Sequence, residues 1–121
     1  MQTIGNLDTP YGKASIHIGR YPHGGAIFIG LRSDDPEDEF SESLATFSVN
    51  LKSYGCPLDD DEFNVKNWEE NACLVEPMLA TGLFEVTGKV FPSGFVVSPV
   101  WRLRNPEHVP ASRNGKAGVA A

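Results

Sequence analysis

Long apolar runs are missing from this chain. No stretch approaches the roughly 18 consecutive apolar residues of a membrane-spanning helix, and the opening residues Met1 to Asn6 have neither the basic nor the hydrophobic region of an export signal. The expectation is a cytoplasmic protein with no membrane contact. Cysteine is scarce: Cys56 and Cys73 are the only two, in a chain without an export signal, and are expected to be reduced. They form no CxxC motif, and His17, His23 and His108 sit in three separate segments, so no zinc site is assigned. There is also no Gly-x-Ser-x-Gly elbow, P-loop or dinucleotide fingerprint, and Gly24-Gly25 reads as a turn. No catalytic residue, metal ligand or cofactor follows from any motif, and the expected class is a non-enzyme.

What the sequence does have is charge in one place. Thirteen of its sixteen carboxylates lie between Asp34 and Glu76 with only Lys52 and Lys66 to offset them, a formal charge of −11, whereas the rest of the chain carries +5. Such a block repels nucleic acid and attracts basic protein surfaces. Asp59-Asp60-Asp61-Glu62 lacks the alternate ligand spacing around a glycine that a dedicated Ca²⁺ loop needs, so no metal is assigned there either.

At 121 residues the chain fits one domain with a core of its own. Twelve glycines and nine prolines indicate many turns, which favours strands. Thr3 to Leu7 followed by Asp8-Thr9-Pro10-Tyr11-Gly12 reads as a first hairpin, and residues 13–32 as a second, with Ala14, Ile16 and Ile18 alternating with polar neighbours and Ala26 to Leu31 apolar on both faces. Leu44 to Leu51 alternates clearly, and Phe63 with Val65 suggests a short strand. Asn67 with Glu70 has the spacing of a capping box, predicting a helix over about Asn67 to Thr81. Trp68, Ala72, Val75 and Leu79 would then be its buried stripe, Gly82 its stop, and Pro77 a kink or a split. Leu83 to Phe91 and Phe95 to Arg104 read as a hairpin around Pro92-Ser93-Gly94, with Phe95, Val97, Pro99, Trp101 and Leu103 on one face. Pro99 calls for an edge strand or a bulge. The expected fold is α+β: a mostly antiparallel sheet of five to seven strands with one helix packed on a face, in a single domain 1–104, followed by a C-terminal tail 105–121.

Thr46-Phe47-Ser48-Val49-Asn50-Leu51, Glu70-Asn71 through Gly82-Leu83, and Thr87-Gly88 with Ser93-Gly94-Phe95-Val96 together resemble a family of uncharacterised small domains carried on conjugative and other mobile genetic elements of bacteria. That resemblance implies a genomic setting within a bacterial host and no assigned chemistry. In size and charge the chain is also similar to the class of small acidic anti-CRISPR and anti-restriction proteins of phages and plasmids. The functional expectation is therefore an accessory protein that inhibits a host defence nuclease complex by acting as a DNA mimic. Its partner-binding residues would be Asp34, Asp35, Glu37, Asp38, Glu39, Glu42, Asp59, Asp60, Asp61, Glu62 and Glu69. The alternative is a nucleic-acid-associated accessory protein of conjugation or replication, using Trp101, Arg102, Arg104, Arg113 and Lys116. A solvated acidic surface that only keeps the domain soluble is the bland third reading.

Overall fold

The computed structural model describes residues 2–34 and 43–111. Eight strands form two four-stranded antiparallel sheets in place of the single sheet expected. The first sheet is a meander of β1 (Gln2–Thr9), β2 (Gly12–Arg20), β3 (Ile27–Ser33) and β4 (Ser43–Thr46); the second has the order β5 (Ser48–Val49), β6 (Glu62–Val65), β8 (Val96–Leu103), β7 (Phe84–Ser93).

The cause of the division is Phe47. Its N–H donates to the Ile29 carbonyl of β3 at 2.8 Å, and its own carbonyl accepts from Lys66 just past β6, also at 2.8 Å. The Leu44–Leu51 alternation is therefore cut between two sheets, a bend that a period of two does not record. Ser48 patches the ladder there: its Oγ accepts from the Ile29 N–H at 2.8 Å and bonds Tyr21 Oη at 3.0 Å. Burial pushes the Tyr21 phenol pKa up, and the Ser48 bond opposes that only in part.

Between the sheets lies the core. Ala14, Ile16, Ile18, Ile27, Ile29 and Leu31 come from the first sheet, and Phe63, Val65, Phe84, Trp101 and Leu103 from the second, with Phe47 at the bend. Trp101 is the centre of an aromatic cluster, 5.3 Å from Phe47, 6.0 Å from Phe84 and 6.4 Å from Phe63 between ring centroids. Such offset contacts add roughly 0.5–1.5 kcal/mol each beyond area burial. A smaller cluster of Leu51, Cys56 and Val100, with Leu58 and Phe91 against it, covers the second sheet's other face.

The helical region departs from the sequence expectation at its start. A 3-10 helix, Glu69–Leu74, runs into α1 (Val75–Ala80), so the division that Pro77 suggested is present, with the proline in the first turn of α1, where it costs no internal bond. Asn67 does not cap it: the cap position is Trp68, extended at φ −118° and ψ 167°, with no side-chain bond. Leu74, Met78 and Asn71 face the core, while Ala72 is exposed and Trp68 is half-buried outside the main cluster, so the stripe expected from Trp68 is displaced. Asn71 Nδ2 donates to the Thr46 carbonyl at 2.7 Å, tying the helix to β4.

Pro99 lies in β8, a strand between β6 and β7, but the β6 ladder covers only Val100 to Arg102, so the proline sits just past it and beside a bulge in β7. The register jumps from Val86 opposite Trp101 to Val90 opposite Pro99, and Gly88 holds a φ of 86° in the extra loop. Residues 105–110 are not a free tail. Pro106–His108 is a 3-10 turn capped by Asn105 Oδ1, Val109 packs on the core, and Arg20 grips the Pro110 carbonyl at 2.9 Å.

Candidate functional site

The acidic residues of the two segments meet very different surroundings. In the run Asp59 to Glu62 the strand pattern of β6 decides which side chains turn inward. Phe63 and Val65 face the core, so Glu62 and Asn64 face the sheet's other side, beneath the connection 51–61. The Glu62 side chain is completely buried. Lys89 Nζ reaches both of its oxygens at 2.8 Å, the Asp59 N–H donates at 2.8 Å, and Arg102 Nη2 at 3.2 Å. Burial by itself would raise this carboxyl's pKa. The Lys89 bond, the Asp59 amide and the charges of Lys89 and Arg102 outweigh it and hold the group below its ordinary 4.5.

Arg102 is the hub of the cluster, also pairing with Asp61 at 3.4 Å and Glu85 at 3.2 Å. Asp60 pairs with Arg20, whose side chain is itself almost wholly buried, at 3.0 Å. Of this run, then, only Asp59 makes no ion pair with a described residue, and the Glu62 side chain is completely buried. The same residues border an open cavity of about 490 Å³ between Asp60, Asp61, Glu85, Arg104 and the 106–109 turn.

At the other end of β2 the carboxylates stay outside. Asp34 follows β3, its N–H donating to the Lys13 carbonyl at 2.9 Å, and lines a shallow cleft with Asp8, Asn6 and Lys13. Beside it the β1–β2 turn presents Tyr11, 47% exposed, whose hydroxyl donates to the Glu70 carbonyl at 2.7 Å. That bond brings the start of the 3-10 helix, Glu69 and Glu70, to the same end as Asp34. The Cys73 thiol joins at 3.5 Å, and this contact, with a smaller burial effect, raises the Tyr11 pKa.

Asp34 and Glu69 make no ion pair with any described residue. Glu70 is held below its usual pKa by its own backbone N–H and by Lys66 at 3.1 Å. Glu69 also adopts φ 56°, the one non-glycine residue with positive φ among those described.

Asp34 and the Asp59–Glu62 run do not converge. Asp60 is tied to Arg20 at one end of β2, and Asp34 to Lys13 at the other, seven residue steps or about 23 Å apart at strand rise. Asp35, Glu37, Asp38, Glu39 and Glu42 lie outside the described residues.

Of the residues of the nucleic-acid alternative, Trp101 is 2% exposed in the core and Arg102 is paired with three carboxylates, while Arg104 is exposed with its Nε donating to the Phe84 carbonyl at 3.0 Å. Arg113 and Lys116 lie outside the described residues. Sequence reasoning missed Tyr11 and Glu70 as neighbours of Asp34, since nothing in spacing signals a contact between residues 59 apart in the chain.

His17 bonds Ser15 Oγ through Nε2 at 2.9 Å and Thr3 Oγ1 through Nδ1 at 3.2 Å on the first sheet's outer face. Burial first and then the Arg32 charge lower its pKa, with Asp34 opposing. The arrangement is a hydrogen-bonded contact between strand side chains. Among the described residues no cluster of three or more His, Cys, Asp or Glu is placed to hold a metal, Cys56 and Cys73 are free thiols, and no helix is long and apolar enough to cross a membrane. Comparison with protein-family models, curated proteins and solved structures gives no match to this chain.

Proposed function

We propose that this chain acts without catalysis, by binding a basic protein surface through the carboxylates at its Tyr11 end. The observation that carries this is the unequal treatment of like charges: Asp60, Asp61 and Glu62 are ion-paired within the fold, while Asp34 and Glu69 are exposed at the Tyr11 end and make no ion pair with a described residue. Uncompensated carboxylates on a rigid sheet end steer association with Arg/Lys surfaces and set its salt dependence. An aromatic ring with a polar tip is the side chain best suited to anchor such a contact.

The finer form of the proposal is that the partner is a host nucleic-acid-processing complex in a bacterial cell, a CRISPR effector or restriction enzyme, whose phosphate-binding groove accepts the carboxylates. The chain would then be a phage or mobile-element accessory protein. The acidic mimic is smaller than the sequence suggests, because the Asp59–Glu62 run contributes at most Asp59 and the outer edges of Asp60 and Asp61.

The test is capture from bacterial lysate at low and high salt with three proteins: wild type, Asp34→Lys/Glu69→Lys/Glu70→Lys, and Asp59→Lys. Salt-sensitive capture of a nucleic-acid-processing complex by wild type and Asp59→Lys, lost in the triple variant, is the expected result. Capture unaffected by the triple variant, or direct salt-sensitive binding of DNA or RNA by the wild type, would overturn it.

A further inference from the structure

The β7–β8 hairpin extends the second sheet past its core. Val86 pairs with Trp101, Val90 with Pro99 and Pro92 with Val97, and directly opposed residues share a face, so these apolar groups continue the face on which Trp101 is buried. Beyond Trp101 no described residue buries them. Val86 is 54% exposed, Val90 60% and Val97 52%, and Phe95, in the two-residue turn after Gly94 at φ 62°, is fully exposed. The hairpin's other face is occupied, with Phe91 and Val100 packed under the segment 51–58 and Lys89 turned to Glu62. One face is finished and the other is left apolar.

We infer that this face is a self-association surface, covered by the same hairpin of a second copy of the chain. Three observations favour a second copy over an unlike partner. The face holds no charged side chain, whereas the chain carries −6 overall, so it is a surface through which two like-charged copies can meet without opposing carboxylates. A two-fold axis through it gives each valine an apolar counterpart, as an isologous contact requires. And the hairpin lies at the edge of its sheet, with β7 pairing only with β8 among the described residues, so a second copy can reach the face without meeting a further strand.

The area agrees with a weak contact. The four exposed side chains offer on the order of 500 Å², so two copies would cover roughly 1,000 Å², at the lower limit for a specific interface. A reversible dimer with micromolar affinity is the expected form, not an obligate one.

Sedimentation equilibrium of the full chain at moderate salt, over about 1 to 500 µM, tests this with wild type, Phe95→Ser and Val97→Thr. Both substitutions sit on solvent-facing positions, and thermal melts at the lowest concentration check that they fold as wild type does. A monomer–dimer equilibrium in the wild type, weakened at least tenfold in both folded variants, supports the inference. A wild type that stays monomeric throughout would overturn it and leave the face to an unlike protein. A dimer insensitive to both substitutions would overturn it as well, by placing the contact elsewhere.

Discussion

The acidic run Asp59–Glu62 and the carboxylates Asp34 and Glu69 meet opposite fates in this molecule. Asp59 to Glu62 enters β6, and the strand's period of two carries Glu62 into a buried position where Lys89, Arg102 and the Asp59 amide surround it. Asp34 and Glu69 occupy a strand exit and a helix start, where both stay exposed and neither makes an ion pair with a described residue. The lesson concerns charge runs in general: their function depends on the local period of the backbone that carries them, since one residue's shift in register converts a solvated carboxylate into a buried one. The Asp59–Glu62 run is tied into the fold, while Asp34 and Glu69 carry the contact proposed above.

The largest expected break in that comparison is at the hub of the buried cluster. Arg102→Ala strips one partner from each of Asp61, Glu62 and Glu85, and unfolding in urea should show a loss of about 2–3 kcal/mol. Acid comes next. Because Glu62's pKa is lower folded than its ordinary 4.5, its contribution is complete above that pH and disappears as pH falls through the folded value. The stability difference between wild type and Glu62→Gln should therefore be constant near neutrality and shrink below about pH 4.5; a difference independent of pH would show that the carboxylate's charge is not what the cluster holds.

Smaller effects sharpen the exposed side. Glu69 sits at a positive φ that glycine adopts freely, so Glu69→Gly should raise the thermal midpoint slightly, by no more than about 1 kcal/mol of stability, while removing one of the proposed contact charges. Asn67→Ala should be nearly silent, within about 0.5 kcal/mol, because the capping bond expected of it is not made; a loss near the ~1 kcal/mol of a working cap would contradict the observed start of the helix.

Much of the architecture was legible before the fold. The alternation over Ala14 to Ile18, the apolar run Ala26 to Leu31, the first two hairpins and the β7–β8 hairpin all follow from periodicity and turn residues. The number of sheets was not, because Phe47 keeps its side chain in register while its two backbone groups bond different sheets. Nor did alternation reveal where a buried face stops: Val97 and Trp101 share a face, yet only Trp101 lies opposite the first sheet's side chains.

The candidate site was less legible than the fold. That Asp34 would be exposed is readable from its loop composition, but Glu62 belongs to the same acidic block and is distinguishable only by its place beside Phe63 and Val65. The meeting of Tyr11 with Glu70 is a tertiary contact without local signature. Likewise the basic surroundings of Trp101 suggested a nucleic-acid contact, until the core claimed the ring and three carboxylates claimed Arg102.

The central claim, that the Asp59–Glu62 run is structural while Asp34 and Glu69 are not, is tested most directly by paired urea denaturation at pH 7 of Asp60→Asn/Glu62→Gln and Asp34→Asn/Glu69→Gln. The account predicts that the first pair loses more than about 2 kcal/mol and the second stays within about 0.5 kcal/mol of wild type. Equal losses, or a larger loss in the second pair, would contradict it.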